Sequence, residues 1–220
     1  MTAKTKIFEI KIELREVRPA VVRRVQVPGE ITLAGLHEVV QAAMGWTDSH
    51  LHEFEVDGAR YGQPDPDWDD GEVHDEGRAK LFRLLEHGDR VGYVYDFGDG
   101  WTHRLTVEKV LGPEPGVRYP RCVSGRRACP PEDVGGPYGY DEFLAAMADP
   151  AHPEHEQYRE WVSGSFDPSA FNLDEVNETL AGVAWRPLPA STAASTGPSG
   201  SAAPMPAGGS VDRPAPTARR

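Results

Sequence analysis

The sequence predicts an α+β fold in which a mixed or antiparallel sheet is crossed by one helix and followed by a helical C-terminal section. Three patterns support this fold class. Residues 6–14 alternate apolar and charged side chains, as a half-buried strand does, and residues 33–44 carry an apolar stripe with helical spacing. Residues 93–108 form two apolar runs around Gly98-Asp99-Gly100, which is typical of a long β-hairpin with a three-residue loop.

The N-terminal strands are separated by residues that break regular structure. Arg18-Pro19 ends the first strand, and the Pro28-Gly29 turn ends a second strand over residues 21–27. Residues 51–56 are expected to form a third strand, and Tyr61 ends a short strand after it.

One helix lies between the second and third strands. Thr32 is suited to its N-cap, the helix runs to about Met44, and Gly45 is suited to the C-cap. The order strand, strand, helix, strand resembles the opening of a β-grasp fold.

Residues 63–77 are expected to form a long, solvated and mobile loop. Part of this segment fits the ligand spacing of a calcium loop, through Asp65, Asp67, Asp69 and Glu76. Asp70 stands where such a loop needs glycine, so the sequence favours the mobile loop.

The second half predicts a short helix over residues 80–86, the hairpin to about Leu111, and an ordered Pro/Gly-rich loop over residues 112–139. Three short helices are expected over residues 141–147, 153–161 and 173–180. Residues 1–185 are therefore expected to form one domain. Residues 186–220 are rich in Pro, Ala, Ser and Gly and are expected to be a disordered tail.

Charge and composition narrow the possible partners and location. A net charge of −12 argues against non-specific nucleic-acid binding. The sequence has no apolar run of membrane length and no apolar signal core near its start, so it predicts a cytoplasmic protein without a membrane partner. In that location the two cysteines are expected to be reduced thiols or metal ligands.

A divalent-metal site is one hypothesis for the hairpin region, because two histidines alternate on one strand and two aspartates lie at the turn. The candidate ligands are His50, His52, Asp96, Asp99 and His103. Alternatively, each imidazole is hydrogen-bonded to a neighbouring carboxylate or carbonyl. No cofactor other than such a metal is indicated.

Aromatic side chains make the hairpin the best candidate for a ligand groove. Its expected lining is Tyr93, Tyr95 and Trp101, with Phe97 nearby. The carboxylates of Asp96, Asp99 and the Glu132-Asp133 pair could serve as general acids or bases, although turn aspartates are equally explained by local backbone hydrogen bonds.

The Pro/Gly-rich loop contains thiols and a basic cluster. Cys122 and Cys129 are separated by six residues, which is not the spacing of a zinc knuckle, so two buried thiols are favoured over a structural zinc. A nucleophilic cysteine with His103 as its base lacks any local signature. The arginines of the loop could hold an anion or pair with the acidic surface, and they are Arg118, Arg121, Arg126 and Arg127.

Four stretches resemble the plasmid pRiA third-open-reading-frame family, also known as the insertion-sequence passenger TnpR family. They are LHEVVQAAMGWTDSHLHEF at 36–54, YVYDFGDGWTHRLTVEK at 93–109, YPRCVSGRRACPPEDVGGPYGY at 119–140 and FDPSAFNLDEVN at 166–177. The resemblance covers roughly residues 5–182. It implies a compact α+β protein of plasmids, mobile elements and bacterial chromosomes, without a settled biochemical role. Two departures are Val22, where many relatives have Trp, and Val134, where many have a third cysteine.

Three functions are therefore expected as alternatives, and enzyme status stays open. The first is a non-enzymatic binding or accessory module with an unknown ligand or protein partner. The second is a metal-dependent hydrolase or nuclease that uses the His/Asp cluster. The third is an anion-binding or nucleic-acid accessory protein that uses the arginine loop. Recombinase activity is not expected, because the sequence lacks a serine-recombinase pattern.

Overall fold

The computed structural model describes residues 6–64 and 72–183, and within them it forms a mixed, mostly antiparallel sheet of eight strands. The strands are β1 Ile7–Leu14, β2 Val22–Pro28, β3 His52–Val56, β4 Ala59–Gly62, β5 Val73–Asp75, β6 Arg90–Tyr95, β7 Trp101–Leu111 and β8 Arg121–Arg126. Their order across the sheet is β5-β4-β3-β6-β7-β1-β2-β8, and the β4–β5 pair is parallel. The expected α+β class is confirmed.

Five helices accompany the sheet in the described part of the chain. They are α1 Leu33–Met44, α2 Leu81–Leu84, α3 Gly136–Ala148, α4 His155–Trp161 and α5 Leu173–Ala181. The helical C-terminal section is confirmed. None of these helices is long and apolar enough to cross a membrane.

The first helix has the two caps that the sequence predicts. The side chain of Thr32 accepts a hydrogen bond from the backbone N–H of Gly35, which satisfies one of the first free donors of α1. Gly45 has a φ of 87° and donates to the carbonyl of Gln41. Glycine adopts this left-handed conformation without steric cost, so the helix ends there.

The element order strand, strand, helix, strand is present, but the third strand does not pair with either of the first two. β1 pairs with β2 and with β7, and β3 lies three positions away from β1. The β6–β7 hairpin fills the space between them. It is therefore central in the sheet, and its inward side chains face the middle of the core.

Two strands lie where irregular structure was expected. β5 lies in the predicted acidic loop and pairs with β4 over three residues. β8 lies in the Pro/Gly-rich loop, where RCVSGR pairs with the outer edge of β2. The reason is tertiary, because an edge strand satisfies the free backbone groups of β2 whatever the local composition. Helix α3 also begins at Gly136, five residues earlier than expected.

About half of the predicted mobile loop, residues 65–71, lies outside the described residues, and the predicted tail lies entirely outside them. Glu76 is described, however, and it is buried beside β5. The three aspartates of the partial calcium pattern fall within residues 65–71, which are not described.

The two faces of the sheet differ in chemistry. Phe8, Ile10 and Ile12 point into the core from β1, as the alternation predicts. The opposite face carries ion pairs between strands, such as Glu9 with Lys109 at 2.6 Å and Arg24 with Glu108 at 2.7 Å. The charged face therefore remains toward solvent while α1 covers the apolar one.

The outer edge of β8 is closed by a side chain of α5. The backbone N–H of Cys122 donates to Oδ1 of Asn177 at 2.8 Å, and Nδ2 of Asn177 donates to the Cys122 carbonyl at 3.0 Å. One amide therefore satisfies both backbone groups of an edge residue.

We expect Asn177→Ala to lower the free energy of unfolding by about 1–3 kcal/mol, because it leaves a half-buried N–H and carbonyl without these partners. Urea denaturation followed by tryptophan fluorescence measures this change. Glu178→Ala, on the exposed face of the same helix, is the matched control and should change the value by less than about 0.5 kcal/mol. Equal effects of the two substitutions would contradict this role of Asn177.

Candidate functional site

Residues 47–52, which connect α1 to the first residue of β3, are held by hydrogen bonds on two sides. The backbone N–H and the hydroxyl of Thr47 both donate to Oε2 of Glu132, at 2.8 and 2.6 Å. The backbone N–H of Ser49 donates to the hydroxyl of Tyr95 at 3.0 Å. These contacts fix an irregular segment in one conformation and thereby position the histidines at 50 and 52.

His50 lies between two carboxylates that come from distant parts of the chain. Its Nε2 is 2.8 Å from Oδ1 of Asp133 and 3.6 Å from Oδ2 of Asp96. Asp96 follows β6, and Asp133 precedes α3. We call these three residues the His50 cluster. Its ligand atoms are close enough together to share one metal ion.

The pKa of His50 is raised. Desolvation alone would lower it, but the hydrogen bond to Asp133 and the negative charges of Asp96, Asp133 and Glu132 outweigh that effect. Negative charge that favours a proton on Nε2 also favours a metal cation in the same place, so protons and metal ions should compete there.

Both carboxylates of the His50 cluster are fixed by unusual backbone conformations. Asp96 and Asp133 have φ values of 54° and 59°, in the left-handed region that aspartate tolerates better than most residues. Oδ1 of Asp96 accepts from the N–H groups of Gly98 and Asp99, which leaves Oδ2 on the side of His50.

The hairpin turn is packed directly against the start of α3. Oδ2 of Asp99 accepts from the N–H of Gly135 at 3.2 Å. A Cβ at Gly136 would lie 2.4 Å from the Asp99 carbonyl oxygen, so only glycine allows this approach. The contact brings the segment carrying Asp133 to the hairpin. Asp99 thus acts on the neighbouring backbone, and its carboxylate is not part of the His50 cluster.

His52 belongs to a second, buried cluster with His37. The two imidazole rings are stacked, with centroids 3.4 Å apart and an angle of 4° between their planes. Nε2 of His37 is 2.7 Å from Oδ1 of Asp48, and Nε2 of His52 is 2.9 Å from Oε2 of Glu76. The structure therefore separates His50 and His52, which the sequence placed in one metal site.

A chain of hydrogen bonds assigns the proton of His37. The N–H of Asp48 donates to Oε1 of Gln41, so Nε2 of Gln41 is the group that donates to the Tyr93 hydroxyl. Tyr93 then donates to Nδ1 of His37, and His37 carries its proton on Nε2 and donates it to Asp48. Burial and the adjacent His52 ring lower the pKa of His37, despite Asp48, which agrees with a neutral imidazole.

His37, Asp48 and His52 are also close enough to share a metal, but the ring stacking opposes it. The lone pair of an imidazole nitrogen lies in the plane of its ring. A metal between two parallel rings 3.4 Å apart would lie well out of both planes. The His50 cluster has no such conflict and is the better candidate for a metal site.

His103 is buried and belongs to neither cluster. Its Nδ1 donates to the carbonyl of Trp101 at 3.1 Å, and its Nε2 has no hydrogen-bond partner within the described residues. Burial lowers the pKa of His103 to about 4, so the ring is neutral. It packs against Trp46 and Tyr93.

The structure buries Tyr93, Tyr95 and Trp101 in the core, and none of the three lines the cleft beside the His50 cluster. They occupy inward positions of the central hairpin, so strand parity directs them away from solvent. Tyr95 still contributes to the site, because its hydroxyl donates to Glu132 and accepts from Ser49. Burial and the Glu132 carboxylate raise the pKa of Tyr95.

A cleft of about 580 Å³ opens beside the His50 cluster. His50 itself lines it, together with Leu51 and Phe97, which are 67% and 57% exposed. The other lining residues are Asp48, Ser49, His52, Glu53, Arg60, Gly62, Gln63 and Val73. Of the four aromatic residues considered for a groove, Phe97 is the one that contacts this space.

The thiols and arginines of the 112–139 segment do not form a comparable site in the described part of the chain. Cys122 is buried and Cys129 partly buried, both are free, and neither is in a group able to hold a metal. Burial raises the pKa of both thiols. Arg121 bonds to Gln26 and Glu114, and Arg126 bonds to a backbone carbonyl, while Arg118 is exposed and Arg127 half-buried.

Sequence reasoning missed His37, Asp48 and the role of Asp133 as a partner of His50. His37 has the spacing of a buried helix face, so its pattern indicates core. Asp48 and Asp133 lie in irregular segments whose proximity to the hairpin depends on tertiary contacts. The polar run Thr47-Asp48-Ser49 before a strand was the available signal.

Comparisons with known proteins identify relatives over most of the chain. Residues 6–175 match the family described as plasmid pRiA4b ORF-3-like protein. The uncharacterized protein y4hQ of Sinorhizobium fredii is 43% identical over 180 residues, covering 81% of this chain and 92% of that protein. The crystal structure of MM3350 from Methanosarcina mazei, a protein of unknown function, has a TM-score of 0.72 at 36% identity and covers 77% of this chain and 97% of that one.

We expect the free energy of unfolding to fall as the pH is lowered from 6.5 toward 4, because of His103. Its native pKa is below the unfolded value, so the unfolded state binds the proton and the stabilisation present above pH 6.5 is lost toward pH 4. The full loss from this group is about 3 kcal/mol. Urea denaturation at several pH values measures it.

His103→Phe, which cannot titrate, should have a smaller pH slope, while exposed His87→Gln should keep the slope of the unmodified protein. Some slope should remain in His103→Phe because the lowered pKa of His37 acts in the same direction. An unchanged slope in His103→Phe would contradict this assignment.

Proposed function

The chain belongs to the plasmid pRiA4b ORF-3-like family, and we propose that it is a metal-dependent binding module. A divalent cation binds at His50, Asp96 and Asp133, and this cation helps to hold a small ligand in the adjacent cleft. The observation that carries the proposal is the convergence of these three side chains, from three segments, around Nε2 of His50.

The donor set is suited to a transition-metal ion. One imidazole nitrogen and two carboxylate oxygens match the ligands that Zn²⁺, Mn²⁺ and Fe²⁺ accept. The carboxylates compensate the charge of the cation, and their backbone positions are fixed by the turn contacts of Asp96 and Asp99. A preformed set of ligands lowers the entropic cost of binding the ion.

The cleft makes this cation useful for ligand binding. His50 belongs both to the cluster and to the cleft wall, so a bound ligand can reach an open coordination position of the metal. The volume of about 580 Å³ is in the range of small-molecule sites. Leu51 and Phe97, which directly follow His50 and Asp96 in the chain, supply exposed apolar surface.

We expect isothermal titration with Mn²⁺ and with Zn²⁺ to show one site per chain for at least one of the two ions. His50→Ala and Asp133→Asn should each weaken metal binding by about tenfold or more, because each removes or weakens one of the three proposed ligands. His87→Ala removes an imidazole and Glu86→Gln converts a carboxylate to its amide at exposed positions before β6, and both should leave binding unchanged. Binding that survives in both cluster variants would refute the site.

Metal affinity should also decrease with acid. The raised pKa of His50 means that its proton persists to a higher pH than in a free histidine, and the metal must displace it. Titrations across pH 5.5–8.5 should therefore show weakening on the acid side.

A second candidate function is a metal-dependent hydrolase at the same cluster. Three protein ligands leave coordination positions for water, as in catalytic metal sites, and the Asp133 side chain is exposed. Mn²⁺-loaded and Zn²⁺-loaded protein should then hydrolyse chromogenic phosphate esters or peptide anilides, with loss of turnover in Asp96→Asn. Absence of turnover in protein shown to be loaded would leave the binding module alone.

A further inference from the structure

We infer that the cleft beside β3 binds a primary ammonium group that carries an apolar or aromatic substituent, such as the amino terminus of a peptide. The inference rests on the proposed metal site, because a carbonyl oxygen next to the ammonium group would coordinate the cation bound at His50. It names the class of ligand, which the metal site by itself does not.

Asp48 provides the recognition of the ammonium group. It lines the cleft, and its side chain is 57% exposed. Its Oδ1 accepts a hydrogen bond from Nε2–H of His37. The proton is on Nε2 because Nδ1 of the same ring accepts a hydrogen bond from the Tyr93 hydroxyl. The imidazole is therefore a neutral donor and does not cancel the charge of Asp48. A carboxylate held in this way presents a negative charge to the cleft.

Among the described residues, the other charged groups of the cleft do not favour an anion. Glu53 and Arg60 both line it, and they form an ion pair at 2.7 Å, so together they add little net charge. Asp96 and Asp133 balance the two charges of a divalent cation. The occupied site would keep the negative charge of Asp48, on a chain with a net charge of −12. Charge complementarity therefore selects a cationic ligand over a phosphate or carboxylate.

The apolar surface selects the substituent. Leu51 directly follows His50, and Phe97 directly follows Asp96, so each places a large exposed side chain next to a cluster residue. The N–H of Asp96 donates to the carbonyl of Leu51, which holds the two backbones together. An aromatic ring bound between the cluster and these side chains would remove apolar area from water.

The test uses full-length protein loaded with Mn²⁺ and four probes: L-phenylalaninamide, N-acetyl-L-phenylalaninamide, L-alaninamide and adenosine monophosphate. We expect L-phenylalaninamide to bind about tenfold or more tightly than the acetylated probe, which lacks the charge. L-alaninamide, which lacks the ring, should also bind about tenfold more weakly. Calorimetric titration measures all four.

Two protein variants assign the contacts. Asp48→Asn should remove most of the preference for the free amine over the acetylated probe, and Phe97→Ala should reduce the preference for phenylalanine over alanine. Asp57→Asn is the matched control for the first, because Asp57 is also exposed and has a similar positive φ, 50° against 55°. It should leave both preferences unchanged.

The outcomes separate this inference from the proposed function. A protein that binds neither Mn²⁺ nor Zn²⁺ would refute the metal site and the inference with it. Metal binding without any preference for the free amine, or tighter binding of adenosine monophosphate than of L-phenylalaninamide, would overturn the inference and leave the metal site standing. An amine preference that is equal in Asp48→Asn would also overturn it.

Discussion

The need to satisfy two buried phenol hydroxyls organises the region around the site. Tyr93 and Tyr95 occupy inward positions on the central strand β6, where their rings fill the core. Their hydroxyls reach polar groups of α1, of residues 47–52 and of Glu132, and leaving a buried hydroxyl without a hydrogen-bond partner would lower the free energy of unfolding. Tyr93 therefore bonds to His37 and Gln41, and Tyr95 bonds to Ser49 and Glu132. Through these bonds the sheet determines where residues 47–52 lie.

This arrangement gives neighbouring histidines opposite properties. His50 lies in the segment 47–52, and His37 is hydrogen-bonded to Asp48 of the same segment. Nevertheless, the pKa of His50 is raised and that of His37 is lowered. Desolvation acts on both, but His50 faces several carboxylates at the surface, whereas His37 is buried and faces another imidazole. The same electrostatic difference adds to the ring-stacking argument for placing the proposed cation site at His50.

Local pattern was sufficient to predict most of the regular structure. The alternation of β1, the capped helix α1 and the β6–β7 hairpin follow from periodicity and turn residues, which act over short distances. The hairpin loop, however, spans the five residues 96–100 and not the three that the sequence predicted. β5 and β8 were missed because a three-residue pairing and an RCVSGR strand have no period strong enough to detect. Their strand conformation comes from the free edges of β4 and β2.

The candidate site was only partly predictable, for a related reason. His50 and Asp96 were recognised because both lie at the ends of predictable strands. Asp133 lies in a segment rich in proline and glycine, and its approach to His50 depends on how the hairpin turn meets α3 at Gly135 and Gly136. Parity correctly placed Tyr93 and Tyr95 on one face, but it did not show that this face is the core.

The packing of the hairpin turn against Gly135 and Gly136 also suggests how the proposed site could be retained while its ligand changes. The cluster carboxylates are held by backbone conformation and by the Asp99–Gly135 hydrogen bond, which do not involve the cleft wall. Leu51, Phe97 and Asp48 face the cleft without taking part in that contact. If the proposed site is correct, substitutions at these three positions should alter which ligand binds while the geometry of His50, Asp96 and Asp133 is preserved.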